Sequence, residues 1–299
     1  MPHRPLFLGV ALLILTGTAS AQDFSQYQFS STKLADGLYM LAGAGGNVAA
    51  FVGEDAVLLV DTDYSEMTAK LRAALAAITD KPIRLVIDTH WHFDHVGGNE
   101  ALAAAGVTIV AHENIRRRMA AGQTIAILDH AVPPAAAAAL PTLCYFDSLT
   151  FNLSGEEIQV NHLPSAHTDG DGIVRFRHAN VIHAGDVFFN CGYPFIDVSS
   201  GGSIDGTIAA VEAILRLCDE GTRIIPGHGP LASPEDLRTY LGMLRDFRAV
   251  IAGEVAAGKS LDEILAAKPT AALDEKWGKV IFPPEVFTEI VFRSLKGGE

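Results

Sequence analysis

Four side chains that can bind a metal lie within six residues of one another, in the run Thr-His-Trp-His-Phe-Asp-His at positions 89–95. The run follows a short apolar segment that is typical of a buried strand. If the chain stays extended, His90, His92 and Asp94 point to one side, because side chains alternate along a strand. His95 interrupts this alternation and must point elsewhere, which favours two metals served from one turn. Imidazole and carboxylate donors suit zinc and leave iron or manganese open.

Three further candidate ligands follow strand-like segments later in the chain. They are His167 in Ser-Ala-His-Thr-Asp-Gly, Asp186 in His-Ala-Gly-Asp, and His228 in Pro-Gly-His-Gly. The glycines close to each of them let the backbone approach a metal closely. Taken singly, such residues are more often ordinary turn residues than ligands. Their combination with the first run is what indicates a metal site.

The ordered set of motifs resembles the signature of the metallo-β-lactamase superfamily over residues 38–230. The resemblance implies that Asp61, at the end of an early strand, orients the ligand loop by hydrogen bonds from outside the coordination sphere. It also distributes the ligands over two metals: His90, His92 and His167 for metal one, Asp94, His95 and His228 for metal two, and Asp186 as the bridge between them.

The chemistry implied by this resemblance is hydrolysis. Two zinc ions, with iron or manganese as alternatives, would share a bridging hydroxide that attacks an acyl carbonyl. Asp94 could accept the proton of that hydroxide. The chain has no G-x-S-x-G motif to supply a serine nucleophile instead. The predicted function is an exported, dinuclear metal-dependent hydrolase of a small acyl substrate: an ester, lactone, thioester or β-lactam.

The identity of the bridging residue favours a broad acyl hydrolase over a dedicated metallo-β-lactamase. The best-known β-lactamases of the superfamily carry cysteine or serine at the position of Asp186, whereas glyoxalase II-like enzymes and lactonases carry aspartate. Phe189 occupies the position of a lysine found in some β-lactamases, so recognition of a β-lactam carboxylate is in doubt. Three alternatives stay open: a dedicated metallo-β-lactamase, a one-iron site of the persulfide dioxygenase type, and a non-catalytic periplasmic metal-binding or accessory protein.

The segment after Asp186 is rich in aromatic residues and is predicted to line the substrate site. Phe188, Phe189 and Tyr193 would form an apolar wall there. Ser203, at the predicted start of a helix, could help to receive an anion. An equal alternative is that the aromatic side chains belong to the hydrophobic core.

Strands and helices alternate along both halves of the chain, which predicts an α/β fold. Two similar halves suggest two facing mixed sheets with helices outside, and the resemblance implies the same αββα sandwich. A single domain is predicted over residues 22–299, with a C-terminal helical segment from about 234 to 299. Residues 22–36 are predicted to be a polar lead-in, and residues 122–147 an irregular loop of the kind that often forms a lid.

The N-terminal 21 residues have the features of a secretory signal peptide. A basic start precedes an apolar run too short to span a bilayer, and Ala-Ser-Ala at 19–21 is a small-residue cleavage site. Cleavage predicts a secreted or periplasmic protein with no stable membrane association. The mature chain would carry a formal charge of about −14, which argues against nucleic acid as a partner because phosphate binding requires a basic surface. Its oligomeric state is not predicted.

Cys144, Cys191 and Cys218 are the only cysteines in the sequence. An odd count leaves at least one free thiol in an exported protein. A Cys144–Cys191 bridge is possible, but buried free cysteines are the commoner outcome. The absence of a C-x-x-C pair argues against a structural zinc site.

Overall fold

The computed structural model describes residues 23–297 and has four layers: helices, a sheet, a second sheet and further helices. The predicted αββα sandwich is confirmed. The predicted signal peptide, residues 1–21, lies outside the described residues.

The first sheet has seven strands in the described part of the chain. Neighbouring strands are antiparallel from the first strand to the fourth and parallel from the fourth to the seventh. In spatial order, with labels that follow the chain, they are β1 (Ser30–Ala35), β2 (Leu38–Ala42), β3 (Val48–Val52), β4 (Val57–Val60), β5 (Ile83–Ile87), β6 (Thr108–His112) and β9 (Leu143–Tyr145).

The second sheet has five strands within residues 23–297, and a separate hairpin is inserted in the sequence between β6 and β9 of the first sheet. The hairpin consists of β7 (Gln123–Ile125) and β8 (His130–Val132). The last two strands of the second sheet are parallel, and the other neighbours are antiparallel. The five strands are β10 (Ser148–Leu153), β11 (Glu156–His162), β12 (Gly172–Phe176), β13 (Val181–His183) and β14 (Arg223–Ile225).

Helices cover the outer faces of both sheets. The longest, α6, begins with a capping box between Ser233 and Asp236, which satisfies free backbone N–H groups at its start. Among residues 23–297, no helix is long and apolar enough to cross a membrane. The helices are α1 (Thr68–Ala76), α2 (Phe93–Val96), α3 (Asn99–Ala103), α4 (Glu113–Ala121), α5 (Ile204–Leu217), α6 (Pro234–Ala256), α7 (Leu261–Ala267), α8 (Ala271–Trp277) and α9 (Pro284–Leu295).

The central strands are buried on both faces, which explains why they read as continuous apolar runs. In β4, Leu58 and Val60 lie in the core between the sheets, while Leu59 lies in the core beneath α1 and α3. In β14, Ile225 faces the other sheet, and Ile224 faces the core built by α5, α6 and α9. The sandwich therefore has three apolar cores, one between each pair of adjacent layers.

Two segments contain strands that were not predicted: the polar lead-in and the loop predicted to be irregular. Residues 22–36 include β1, an edge strand whose first four residues are all exposed, so it lacks the alternation that marks a half-buried strand. Residues 122–147 include the β7–β8 hairpin and β9, each strand only three residues long. Such short strands give no period that a sequence pattern can reveal.

The cysteines are unpaired within the described residues, so the possible Cys144–Cys191 bridge is not formed. The expectation that free cysteines are buried is wrong for Cys144, which is exposed on the edge strand β9. Cys191 and Cys218 are partly buried. Burial raises the pKa of the Cys191 thiol to about 12, so this thiol stays protonated at neutral pH.

Candidate metal centre

The seven predicted ligands follow strands whose directions bring their ends to one edge of the sandwich. In the second sheet, β11, β13 and β14 run in the same direction, because β12 is antiparallel to β11 and β13 while β14 is parallel to β13. Their carboxyl ends lead to His167, Asp186 and His228. The carboxyl end of β5 in the first sheet leads to the run at 89–95. The structure brings all seven side chains together.

The first group of donors consists of His90, His92, His167 and Asp186, whose ligand atoms lie within 4.8 Å of one another. The Nδ1 atom of His92 is 2.8 Å from Nε2 of His167. The Oδ2 atom of Asp186 is 3.7 Å from Nε2 of His90 and 3.6 Å from Nε2 of His167. Three imidazole nitrogens and one carboxylate oxygen therefore converge on one point, as the assignment to metal one requires.

The second group consists of Asp94, His95 and His228, also within 4.8 Å of one another. Nε2 of His228 is 3.3 Å from Oδ2 of Asp94 and 3.4 Å from Oδ2 of Asp186. Nε2 of His95 is 3.1 Å from Oδ1 of Asp186. The Asp186 carboxylate therefore lies between the two groups and reaches both, which is the position of a bridging ligand.

The extended conformation predicted for the first run ends at His92. His92 has extended backbone angles and is the N-cap of α2, and the helix then turns Asp94 and His95 towards the second group. The prediction that His92 and Asp94 point together along a strand is wrong. Asp94 reaches the second group because the helix rotates it there, not because side chains alternate.

The residues present fit a metal. Nε2 of His90 and Oδ1 of Asp186 are buried, and neither has a hydrogen-bond partner among the described residues. Buried polar atoms are rarely left without a partner, and a bound ion would satisfy both. A Cβ atom at Gly227 would lie 1.9 Å from Oδ1 of Asp186, so the turn before His228 requires glycine. Five imidazoles and two carboxylates are donors that zinc accepts.

The charges of the second group are strongly coupled. Burial alone would lower the pKa of His95 and His228, but the carboxylates of Asp186 and Asp94 raise the pKa of His95 well above its usual value and that of His228 to about 9. Burial would likewise raise the pKa of Asp186, but the imidazoles of His95 and His228 hold it well below its usual value. Without metal, these imidazoles are protonated, so metal binding releases protons.

The first group behaves differently. Burial lowers the pKa of His90 well below its usual value and that of His167 to about 4. Both imidazoles are therefore neutral at neutral pH, as metal-ligating nitrogens must be. His90 and His167 would therefore offer deprotonated nitrogens to a metal, whereas a metal held by His95 and His228 would displace their protons.

Two carboxylates outside the donor groups contact ligand imidazoles at ring nitrogens within hydrogen-bond distance. Asp61, predicted for this position, lies with Oδ2 2.8 Å from Nδ1 of His95 and accepts hydrogen bonds from the backbone N–H and hydroxyl of Thr89. Asp197 lies with Oδ2 3.1 Å from Nε2 of His92. The sequence analysis missed Asp197 as a site residue, because nothing in its neighbourhood marks it as the partner of a histidine 105 residues away.

A cavity opens above the two donor groups, and its floor includes His92, Asp94, Asp186 and His228. Phe189 lines it as predicted, with its ring stacked on His228 at 5.0 Å. No lysine or arginine of residues 23–297 lines it. Its apolar walls are formed by Phe93, Leu128, Phe189, Phe195, Ile281 and Phe282.

Three residues predicted to line the site do not reach the cavity. Phe188 is fully buried against Tyr240, because alternation turns it away from its neighbour Phe189. Tyr193 is fully buried, and its ring stacks on Phe287 of α9. Ser203 caps α5 by accepting a hydrogen bond from the backbone N–H of Gly206. For Phe188 and Tyr193 the alternative that they are core residues is correct.

Tyr193→Phe should lower stability without changing catalysis. The Tyr193 hydroxyl donates a hydrogen bond of 2.8 Å to Asp274, which ties the loop after β13 to α8. Its removal is expected to reduce the free energy of unfolding by about 0.5–1.5 kcal/mol. Urea denaturation and steady-state kinetics on the same preparation check this. A fall in kcat/KM with an unchanged free energy of unfolding would instead show that Tyr193 contributes to the substrate site.

Comparison with known proteins agrees with the geometry of the centre. The family model described as "Metallo-beta-lactamase superfamily" matches residues 42–228, which include all seven candidate ligands and Asp61. The chain belongs to the metallo-β-lactamase superfamily. The resemblance inferred from the sequence is confirmed, and the matched region extends from the end of β2 to the last ligand.

Two curated relatives are hydrolases. Acyl-coenzyme A thioesterase MBLAC2 of Bos taurus is 24% identical over 229 residues, 67% of this chain and 81% of that protein. The linear primary-alkylsulfatase of Pseudomonas sp. (strain ATCC 19151) is 24% identical over 233 residues, 66% of this chain but 44% of that protein. The chain is a hydrolase of the superfamily, as predicted, and the alternative of a non-catalytic accessory protein receives no support.

Solved structures show the same fold. A metallo-β-lactamase from Pontibacter korlensis superposes with a TM-score of 0.60 at 18% identity, covering 73% of this chain and 99% of that one. The sec-alkylsulfatase Pisa1 from Pseudomonas sp. superposes with a TM-score of 0.67 at 19% identity, covering 91% of this chain and 51% of that one. The chain thus spans about half the length of the alkylsulfatases it matches.

Proposed function

We propose that the protein is an exported hydrolase with two metal ions that cleaves neutral, apolar acyl substrates: esters, thioesters or lactones. The observation that carries this proposal is a cluster of seven metal-donor side chains, four of which form the floor of an apolar cavity without a lysine or arginine among its described lining residues. Zinc is the proposed metal, with iron or manganese as alternatives.

The residues of the chain divide the chemical work. Two divalent ions, when bound, supply hydroxide at neutral pH and polarise a carbonyl. Asp186 lies between the donor groups and would fix their separation. Asp94, on the cavity floor with its side chain 16% exposed, would accept the nucleophile's proton on a carboxylate oxygen. The aromatic walls would exclude bulk water and strengthen the electrostatic interactions inside.

The character of the cavity wall argues for an uncharged substrate. Selective binding of a carboxylate usually relies on arginine or lysine, which offer charge-assisted hydrogen bonds. Phe189 stands at the position where a lysine would serve that purpose in a β-lactamase, and its ring stacks on His228 instead. The wall offers an acyl chain apolar contact, worth ~25 cal/mol per Å² buried. A dedicated β-lactamase is therefore the weaker alternative.

The proposal is tested by metal analysis followed by a substrate panel on one preparation. The panel contains p-nitrophenyl esters of increasing acyl length, a lactone, an acyl thioester and a chromogenic cephalosporin. We expect about two ions per chain. We also expect kcat/KM to rise with acyl length until the cavity is full, because each buried methylene lowers the free energy of the transition state by up to about 0.8 kcal/mol. Cephalosporin turnover far faster than that of any ester would instead establish the β-lactamase alternative.

A matched pair of variants shows whether the cavity sets the preferred acyl length. Phe282 lines the cavity and stacks on Phe195 at 5.3 Å. Phe287 is equally buried but packs on Tyr193, away from the cavity. Phe282→Leu should move the optimum to longer acyl chains, and Phe287→Leu should leave it unchanged. An optimum that moves in neither variant would show that another surface binds the acyl chain.

Alkyl sulfate esters are a second candidate substrate class. Two alkylsulfatases are among the relatives, one by sequence and one by fold. The apolar cavity suits an alkyl chain equally well, but a sulfate group would find no lysine or arginine among the lining residues described. Including an alkyl sulfate in the panel distinguishes the two classes, since sulfate release and acyl hydrolysis give different products.

Export is proposed on the features of the first 21 residues. A basic start, an apolar run and Ala-Ser-Ala at 19–21 predict cleavage after Ala21. N-terminal sequencing of the protein recovered from the periplasm or medium should begin at Gln22. Recovery of a chain that retains residues 6–15 would contradict the proposed export. It would not bear on the proposed chemistry of the site.

A further inference from the structure

One carboxylate outside the seven donors contacts a ligand of the first metal group. Oδ2 of Asp197 lies 3.1 Å from Nε2 of His92, and the two side chains are 1% and 5% exposed. The other ring nitrogen of His92, Nδ1, faces Nε2 of His167 at 2.8 Å. We propose that Asp197 is the positioning residue of metal one: it fixes the His92 ring with Nδ1 towards the ion and makes that nitrogen a stronger donor. This inference rests on the proposed dinuclear centre.

The loop around Asp197 holds its carboxylate in one orientation. Oδ1 accepts a hydrogen bond of 3.1 Å from the backbone N–H of Ser200 and one of 2.5 Å from the hydroxyl of Ser199. Oδ2 is left for His92. At 3.1 Å this oxygen is within hydrogen-bond distance of the imidazole, whose Nε2–H can donate to it.

The same loop supports a second ligand of metal one. Nδ1 of His167 is 2.8 Å from the carbonyl oxygen of Phe195. The backbone N–H of Asp197 donates a 2.8 Å hydrogen bond to the carbonyl oxygen of His167. Residues 195–197 therefore fix two imidazoles that come from different sheets. With Nδ1 of His167 engaged by a carbonyl, its Nε2 is the nitrogen free to bind metal.

The two donor groups are supported by different carboxylates. His95 in the second group is held by Asp61, whose remaining hydrogen bonds go to Thr89. His92 in the first group is held by Asp197 from the second half of the chain. Partners of this kind typically change metal affinity by ~10–100-fold when they are replaced. The affinities of the two ions should therefore respond to different substitutions.

The experiment compares Asp197→Asn with Asp61→Asn by chelator competition, which reports metal affinity without turnover. Asparagine can still cap the turn through its Oδ1, so the loop keeps its conformation. We expect Asp197→Asn to weaken one of the two ions by about 10–100-fold and leave the other unchanged. In a His228→Ala background, where the ion that remains should occupy site one, Asp197→Asn should weaken that ion and Asp61→Asn should not.

Asp274→Asn is the control, because this carboxylate accepts a hydrogen bond from Tyr193 and belongs to neither donor group, and both affinities should stay unchanged. Equal weakening of both ions in Asp197→Asn, no weakening at all, or the same weakening in Asp274→Asn would overturn the positioning role. If the unmutated protein binds no metal, this inference fails together with the proposed function. Failure of the substrate panel alone leaves it intact, because its measurement is metal affinity.

Discussion

Asp186→Ala should remove both metal ions and reduce kcat/KM by more than ~100-fold. Replacing a residue that only hydrogen-bonds to a metal ligand already lowers metal affinity or activity by ~10–100-fold. The carboxylate lies 3.1–3.7 Å from ligand nitrogens of both donor groups. No other described side chain belongs to the bridge, so alanine deprives both ions of a donor at once. Metal content by mass spectrometry and kinetics at saturating zinc check this.

Folding should change less than turnover in this variant, because Asp186 is at a turn and not in one of the three apolar cores. Asp186→Asn is the matched control: it keeps the shape and one oxygen but loses the charge that opposes His95 and His228. Asp186→Cys should retain zinc, because thiolate is a good zinc ligand, yet shift the ratio of lactone to cephalosporin hydrolysis. Two ions and full activity in Asp186→Ala would show that Asp186 is an ordinary turn residue.

All seven metal-donor side chains that the structure brings together could be predicted from the sequence. A dinuclear site needs several histidines and aspartates at strand ends, and these residue types are rare in such a combination. The central strands of both sheets are buried on both faces, so they stand out in the sequence as apolar runs. Capping side chains mark the starts of α4, α6 and α7.

What the sequence could not reveal depends on contacts between distant segments. The cavity wall combines Phe93 with Leu128 of the 122–147 segment and with Ile281 and Phe282 near the C terminus. No local pattern relates these positions, since they meet only after the sheets and outer helices have packed. The 122–147 segment, predicted to be a possible lid, does contribute to the wall.

Adjacent aromatic residues presented a different difficulty. Phe188 and Phe189 are indistinguishable by type, and each of the two could have faced the cavity. Their orientation is decided by a bridge between Phe189 and His228, which pairs the extended segment after Asp186 with the last ligand turn. With Phe189 on the cavity side, Phe188 must enter the core beneath α6. The sequence shows that adjacent side chains point in opposite directions, but not which of the two faces the cavity.

His228→Ala should lower the metal content from about two ions to about one in buffer without added zinc, because only the second group loses an imidazole. Site one keeps His90, His92 and His167. Site two would retain Asp94, His95 and the shared carboxylate, with a single imidazole among them. Nε2 of His228 is 3.3–3.4 Å from both Asp94 and Asp186. Its loss therefore also removes a partner that offsets the negative charge of these two carboxylates.

Metal analysis, repeated after dialysis against a weak chelator, measures this effect directly. His130→Ala is the control: His130 is an exposed histidine beside Phe93, at a ring distance of 5.4 Å, and belongs to neither donor group. It should keep both ions. The loss of both ions in His228→Ala would mean that the sites bind cooperatively and not separately. One ion per unmutated chain at saturating zinc, with no loss on mutation, would contradict the dinuclear centre, because the seven donors would then be more than the protein uses.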